Sequence, residues 1–78
     1  MPTVLRLSGW RFHFYSDEGG EPPHIHVDTG DGDCKFWLSP VRLARSQGVK
    51  AQDLRRIESV VAENEALFLE KWHDFFRP

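Results

Sequence analysis

The residues best equipped for chemistry are clustered. His24 and His26 are two apart, Glu21-Pro22-Pro23 runs directly into them, and His13 lies eleven residues upstream. Side chains at i and i+2 of a strand point the same way, with Cα atoms roughly 6.5–7 Å apart, so the two imidazoles should share a face. Two prolines fix φ just before His24 and set where the loop joins the strand. Glu21 is then close enough to orient an imidazole or to exchange a proton with one.

Several chemistries fit this pattern. Paired imidazoles flanked by cations suit acid–base cleavage of RNA. One His takes the 2′-hydroxyl proton, the other protonates the leaving oxygen, and cations hold the phosphate. In that reading His24 and His26 are acid and base, Glu21 and His13 assist, Arg11 and Lys35 hold phosphate, and Tyr15 and Trp37 complete the substrate surface, Trp37 by stacking a base. Alternatively, the His-x-His pair with His13 or Asp28 could hold a divalent ion. No fixed spacing joins those additional ligands to the pair, so neither metal nor cofactor is expected. The plainest alternative makes the histidines hydrogen-bonded surface residues, or part of a non-catalytic surface for a partner protein. Whether the chain is an enzyme, a ribonuclease among them, stays open.

Strands must position these residues. Trp10 to Tyr15 alternates apolar Trp10, Phe12 and Phe14 with Arg11, His13 and Tyr15. His24 to Asp28 alternates Ile25 and Val27 with His24, His26 and Asp28, and Cys34 to Leu38 alternates Cys34, Phe36 and Leu38 with Lys35 and Trp37. Period-two alternation predicts half-buried strands. Thr3 to Leu7 reads as another, joined to the second through Ser8-Gly9. Ser16 to Pro23 must be a loop, since its glycines and prolines are unfit for a central strand. Thr29 to Asp33 reads as a hairpin turn. Ser39 to Gln47 fits either a short helix or an edge strand, and the strand is favoured because a helix so short would be marginal.

From about residue 51, Leu54, Ile57, Val61, Phe68, Trp72 and Phe75 recur at helical spacing, with no Gly or Pro before Pro78. The expectation is a single α+β domain over 1–78. A four- or five-stranded antiparallel sheet (3–45) packs on one long C-terminal helix (about 51–76). The helix should cover Thr3, Leu5, Leu7, Trp10, Phe12, Phe14, Ile25, Val27, Cys34, Phe36 and Leu38. The opposite face would carry the histidines with Arg6, Arg11, Lys35 and Arg42. Trp72, Phe75 and Phe76 are expected to finish the core or to form a homodimer seam.

Composition narrows the setting. The chain has 78 residues, 10 Lys/Arg and 12 Asp/Glu, and a net charge of −2, which speaks against a generic nucleic-acid coat. Yet residues 51–78 hold four basic and six acidic residues, so the sheet half is balanced at six of each. A basic sheet face is therefore compatible with the total. The single cysteine, Cys34, allows neither an intrachain disulfide nor a cysteine-based zinc site. No stretch approaches the ~18 apolar residues of a membrane span, and the opening residues have no signal-peptide pattern. A cytoplasmic location without membrane contact is expected.

The segments MPTVLRLSGWRFHFYSDEGGEPPHIHV, KFWLSPVRLARSQGV and LEKWHDFF together resemble the bacterial family catalogued as domain of unknown function 4160. The resemblance spans essentially the whole chain, and the FYS…E-PPH-H-V block is its specific part. It implies that Glu21, Pro22, Pro23, His24 and His26 occupy signature positions. It also implies a toxin–antitoxin-like setting, with a small cognate partner protein encoded nearby. Relatives tend to open the helix with Ser-Pro, where this chain has Lys50-Ala51, so a weak helix cap is expected.

Overall fold

The computed structural model describes residues 3–77. Five strands run in sequence order as an antiparallel meander: β1 (Thr3–Leu7), β2 (Trp10–His13), β3 (His24–Asp28), β4 (Asp33–Leu38) and β5 (Val41–Gln47). The α+β class and the antiparallel sheet follow the sequence pattern. β5 settles the ambiguous segment as an edge strand of seven residues, extending the sheet to Gln47. The β1–β2 turn takes positive φ at both Ser8 (55°) and Gly9 (80°). That geometry matches the right-handed twist of the flanking strands.

The C-terminal part is not one helix. α1 (Ala51–Glu63) and α2 (Glu65–Phe75) meet at Asn64. The Asn64 side-chain amide donates to the Val60 carbonyl at 2.8 Å, and its backbone N–H is shared between Val60 and Val61. An asparagine that satisfies the preceding turn with its own side chain competes with helical continuation. A helix can thus break without Gly or Pro. Lys50, the residue before α1, makes no side-chain cap hydrogen bond, as the Lys50-Ala51 departure implies.

Both helices pack on the face that the alternation marks as apolar. Trp10, Phe12, Phe14, Ile25, Val27, Cys34, Phe36 and Leu38 are buried together with Ile57 and Val61 of α1 and Phe68 and Trp72 of α2. Phe12 meets Phe68 with ring centroids 5.8 Å apart, and Phe14 meets Trp72 edge-on at 5.3 Å. The first strand departs from the expected core. Leu5 is half-buried while Thr3 and Leu7 are exposed, because β1 is a sheet edge with a register irregularity between Thr3 and Leu5. Phe75 is also exposed, although its ring still stacks on Phe14.

Candidate functional site

β2, β3 and β4 bring the second face together through their register. His13 pairs with His26, His26 with Lys35, and His24 with Trp37. The three histidines therefore form one patch, with the His13 and His26 rings stacked at 5.8 Å and the His24 and His26 rings edge-on at 5.1 Å. The patch is not an open surface. His13 and His24 are 0% exposed and His26 is 3% exposed. The covering is the loop between β2 and β3, including Tyr15, whose ring centre lies 4.5 Å from that of His26. At the end of the sheet, Trp72 reaches round to within 4.9 Å of the His24 ring.

The loop is pinned by two successive backbone turns, Glu18 N–H to the Tyr15 carbonyl and Glu21 N–H to the Glu18 carbonyl, each 3.2 Å. Gly19 sits hard against Phe76: a Cβ there would lie 2.6 Å from the ring. These constraints deliver a carboxylate that the sequence reading did not single out. Glu18 Oε1 lies 2.7 Å from His24 Nε2 and 2.6 Å from His26 Nε2. Nothing in the run SDEGGEPP favours Glu18 over Glu21 without the turns that aim it.

Glu21 has a different place. Its carboxylate accepts from Lys35 Nζ at 2.8 Å and lies 4.0 Å from His24 Nδ1. His24 Nδ1 instead donates to the Pro22 carbonyl at 2.8 Å. The Pro22-Pro23 pair thus supplies an acceptor as well as a rigid entry to β3. Arg11 donates to Asp28 at 2.8 Å, so both cations expected to hold phosphate are engaged by carboxylates. Lys35 also lies over the Trp37 ring, 4.6 Å from its centre. His13 Nε2 is 3.2 Å from Asp28 Oδ2, but neither His13 ring nitrogen has a well-aligned hydrogen-bond partner.

The electrostatics follow from these contacts. Burial pushes the Glu18 carboxyl up, but the hydrogen bonds from His24 and His26 outweigh it and hold the group below its ordinary value. For His26, burial is the dominant influence and lowers the ring below its usual value, against the pull of Glu18. Both directions describe a carboxylate accepting from a neutral His26 ring. Burial likewise raises Asp28, yet the Arg11 guanidinium and the neighbouring His13 ring hold it below the usual range. Cys34, buried on the opposite face, is pushed up to about 12.

Fold and site define a meander sheet backed by two helices, with a histidine layer closed by a carboxylate on a loop. The chain belongs to the family described as Domain of unknown function (DUF4160), whose family model matches residues 9–73. That stretch contains the whole loop, all three histidines and most of both helices. No curated protein and no solved structure matches the chain. Among the described residues, no helix is long and apolar enough to cross a membrane.

Proposed function

We propose that this chain binds RNA across the outer face of its sheet, on the side of β4 and β5. The observation that carries the reading is a cross-strand arrangement. Trp37 pairs with Arg42, and Lys35 with Arg45, directly beside the histidine layer. Arg42 and Arg45 are exposed, and neither takes part in an ion pair among the described residues. Trp37 is half-buried and offers a π-face next to those cations. Aromatic platforms flanked by basic side chains bind single-stranded nucleic acid by stacking and phosphate contact.

Acid–base cleavage by His24 and His26 remains part of the reading under one added condition. Both rings are buried beneath Glu18, so the loop of residues 16–23 must withdraw before a ribose reaches them. The setting that goes with this reading is the one the family resemblance suggested: a bacterial toxin–antitoxin-like pair with a small cognate partner. A second reading, a non-catalytic partner-binding module, is favoured by β5. This edge strand is exposed over six of its seven residues, and Leu43 is 42% exposed. Strand addition by a partner suits such an edge.

The test is fluorescence anisotropy with a labelled single-stranded RNA at several salt concentrations, run beside a gel assay for cleavage. Wild-type protein should bind, and Arg42→Ala/Arg45→Ala should weaken binding and flatten the salt dependence by about one unit of slope per lost phosphate contact. Trp37→Ala should weaken binding with little change in slope. If wild-type protein ignores RNA at low salt, yet co-purifies with the neighbouring gene product and loses it on Leu43→Asp, the partner-binding reading stands instead.

A further inference from the structure

We infer that Glu18, His24 and His26 form a three-ligand site for a divalent first-row transition-metal ion. The three donor atoms lie within 4.8 Å of one another. Closeness alone would not distinguish a metal site from a hydrogen-bonded cluster; the hydrogen bond that fixes the other nitrogen of His24 is the second observation.

A backbone carbonyl can only accept. The 2.8 Å contact from His24 Nδ1 to Pro22 therefore places a ring proton on Nδ1. In the neutral ring, Nε2 is then a bare lone pair, and it points at Glu18 Oε1 from 2.7 Å. Two lone pairs at that distance repel, so something positive must lie between them: a second ring proton in the metal-free protein, or a metal ion in the loaded one. A backbone carbonyl fixing Nδ1–H while Nε2 faces a carboxylate is the arrangement that prepares histidine for a metal.

The surroundings agree with an ion as that positive group. His24 and His26 project from one strand at i and i+2, so their Nε2 atoms are positioned by the sheet. Glu18 comes from a loop whose backbone is held by two turns, but its side chain is partly exposed and can adjust. Its present contacts are hydrogen-bond lengths. Bonds of about 2.0–2.2 Å to an ion would require donors somewhat further apart, which a small rotation of the Glu18 side chain can supply. On loading, the neutral His26 ring changes tautomer, its proton moving from Nε2 to Nδ1, so that the Nε2 lone pair is free for the ion. Glu18 is partly exposed, leaving the ion an approach from solvent and an open coordination position.

Two imidazoles and one carboxylate suit Zn²⁺, Fe²⁺, Mn²⁺, Co²⁺ or Ni²⁺. Mg²⁺ and Ca²⁺ prefer all-oxygen sites. The ligand set differs from the one the sequence suggests, since Glu18 takes the place considered for His13 or Asp28. The site stands or falls separately from RNA binding, which rests on the β4–β5 cations, but a bound ion would exclude His24 and His26 from acid–base cleavage.

The test is calorimetric titration of chelator-stripped protein with Zn²⁺, and separately with Co²⁺, whose visible absorption reports nitrogen and oxygen ligation. The expected result is a single ion per chain for wild type. Glu18→Gln and His26→Ala should each weaken binding by about tenfold or more, whereas Arg55→Ala, at an exposed position of α1, leaves it unchanged. Because Glu18 is on a partly exposed loop, Glu18→Gln keeps the test valid even if His26→Ala fails to fold, which circular dichroism would show. No binding of either ion by wild type, with both His24 ring nitrogens protonated by NMR, would overturn the site in favour of a proton. Equal affinity in wild type and Glu18→Gln would overturn it as well.

Discussion

The two faces of the sheet are both buried, by different means. On the inner face, two helices cover Phe12, Phe14, Phe36 and their neighbours with apolar side chains. On the outer face, a loop covers His13, His24 and His26, and its hold depends on a carboxylate meeting ring nitrogens. Apolar burial is non-directional and scales with area. Polar burial depends on each partner being present and aimed. The inner face should therefore contribute most of the stability, and the outer face should be the part that responds to ligands, protons and single side-chain changes.

The largest effect should come from breaking the inner face. Phe12→Ala or Phe36→Ala removes a ring that is at most 1% exposed and should cost about 3–5 kcal/mol, a large share of the stability of a domain this small. Urea unfolding measures it directly. A loss no greater than that of an exposed residue such as Phe75→Ala would mean the helices do not close this face.

Removing Glu18 probes the other face and should have a smaller effect. Glu18→Ala leaves buried imidazole nitrogens without their acceptor, at a cost of about 1–3 kcal/mol. The same urea titration, on metal-free protein, checks it. A change comparable to Phe12→Ala would erase the distinction between the faces.

Acid should act on the outer face as well. His26, Glu18 and Asp28 all have folded-state values below their ordinary 6.5, 4.5 and 3.8. The unfolded chain therefore takes up protons first as pH falls. Their contribution is complete above about pH 6.5. It declines first through His26, and then through Glu18 and Asp28 as the solution becomes more acidic than their ordinary values. Urea midpoints measured from pH 8 to pH 3 in chelator should fall monotonically through that range, and a rise toward acid would contradict the assignment. The smallest effect concerns Cys34, whose buried thiol, pushed up to about 12, should resist alkylation until the protein unfolds.

The same contrast explains what could be read from the chain. Period-two alternation is strong at Trp10–Phe14, His24–Val27 and Cys34–Leu38, and it assigned both faces correctly in those three strands. It was weaker at β1, where Thr3 and Leu7 fit the pattern but sit exposed on an edge. The helical periodicity gave Ile57, Val61, Phe68 and Trp72 as packing residues, but it also included the exposed Phe75 and did not show the break, which depends on one local bond of the Asn64 side chain. The histidine pair was legible because its geometry follows from strand spacing. Its cover was not. Glu18 reaches the histidines through two loop turns and the close approach of Gly19 to Phe76, contacts with no periodic signature. For the same reason Glu21, three residues nearer His24 in sequence, pairs with Lys35 instead.

The central claim is that the histidine layer is closed by Glu18. Residue-resolved diethylpyrocarbonate modification, read by mass spectrometry, tests it most directly because the chain carries its own control: His73 is exposed on α2. In native wild-type protein His73 should react much faster than His13, His24 and His26. Glu18→Ala should accelerate His24 and His26 while Cys34 stays protected from alkylation, showing that the inner face is intact. Four histidines reacting at one common rate in folded wild-type protein would contradict the account.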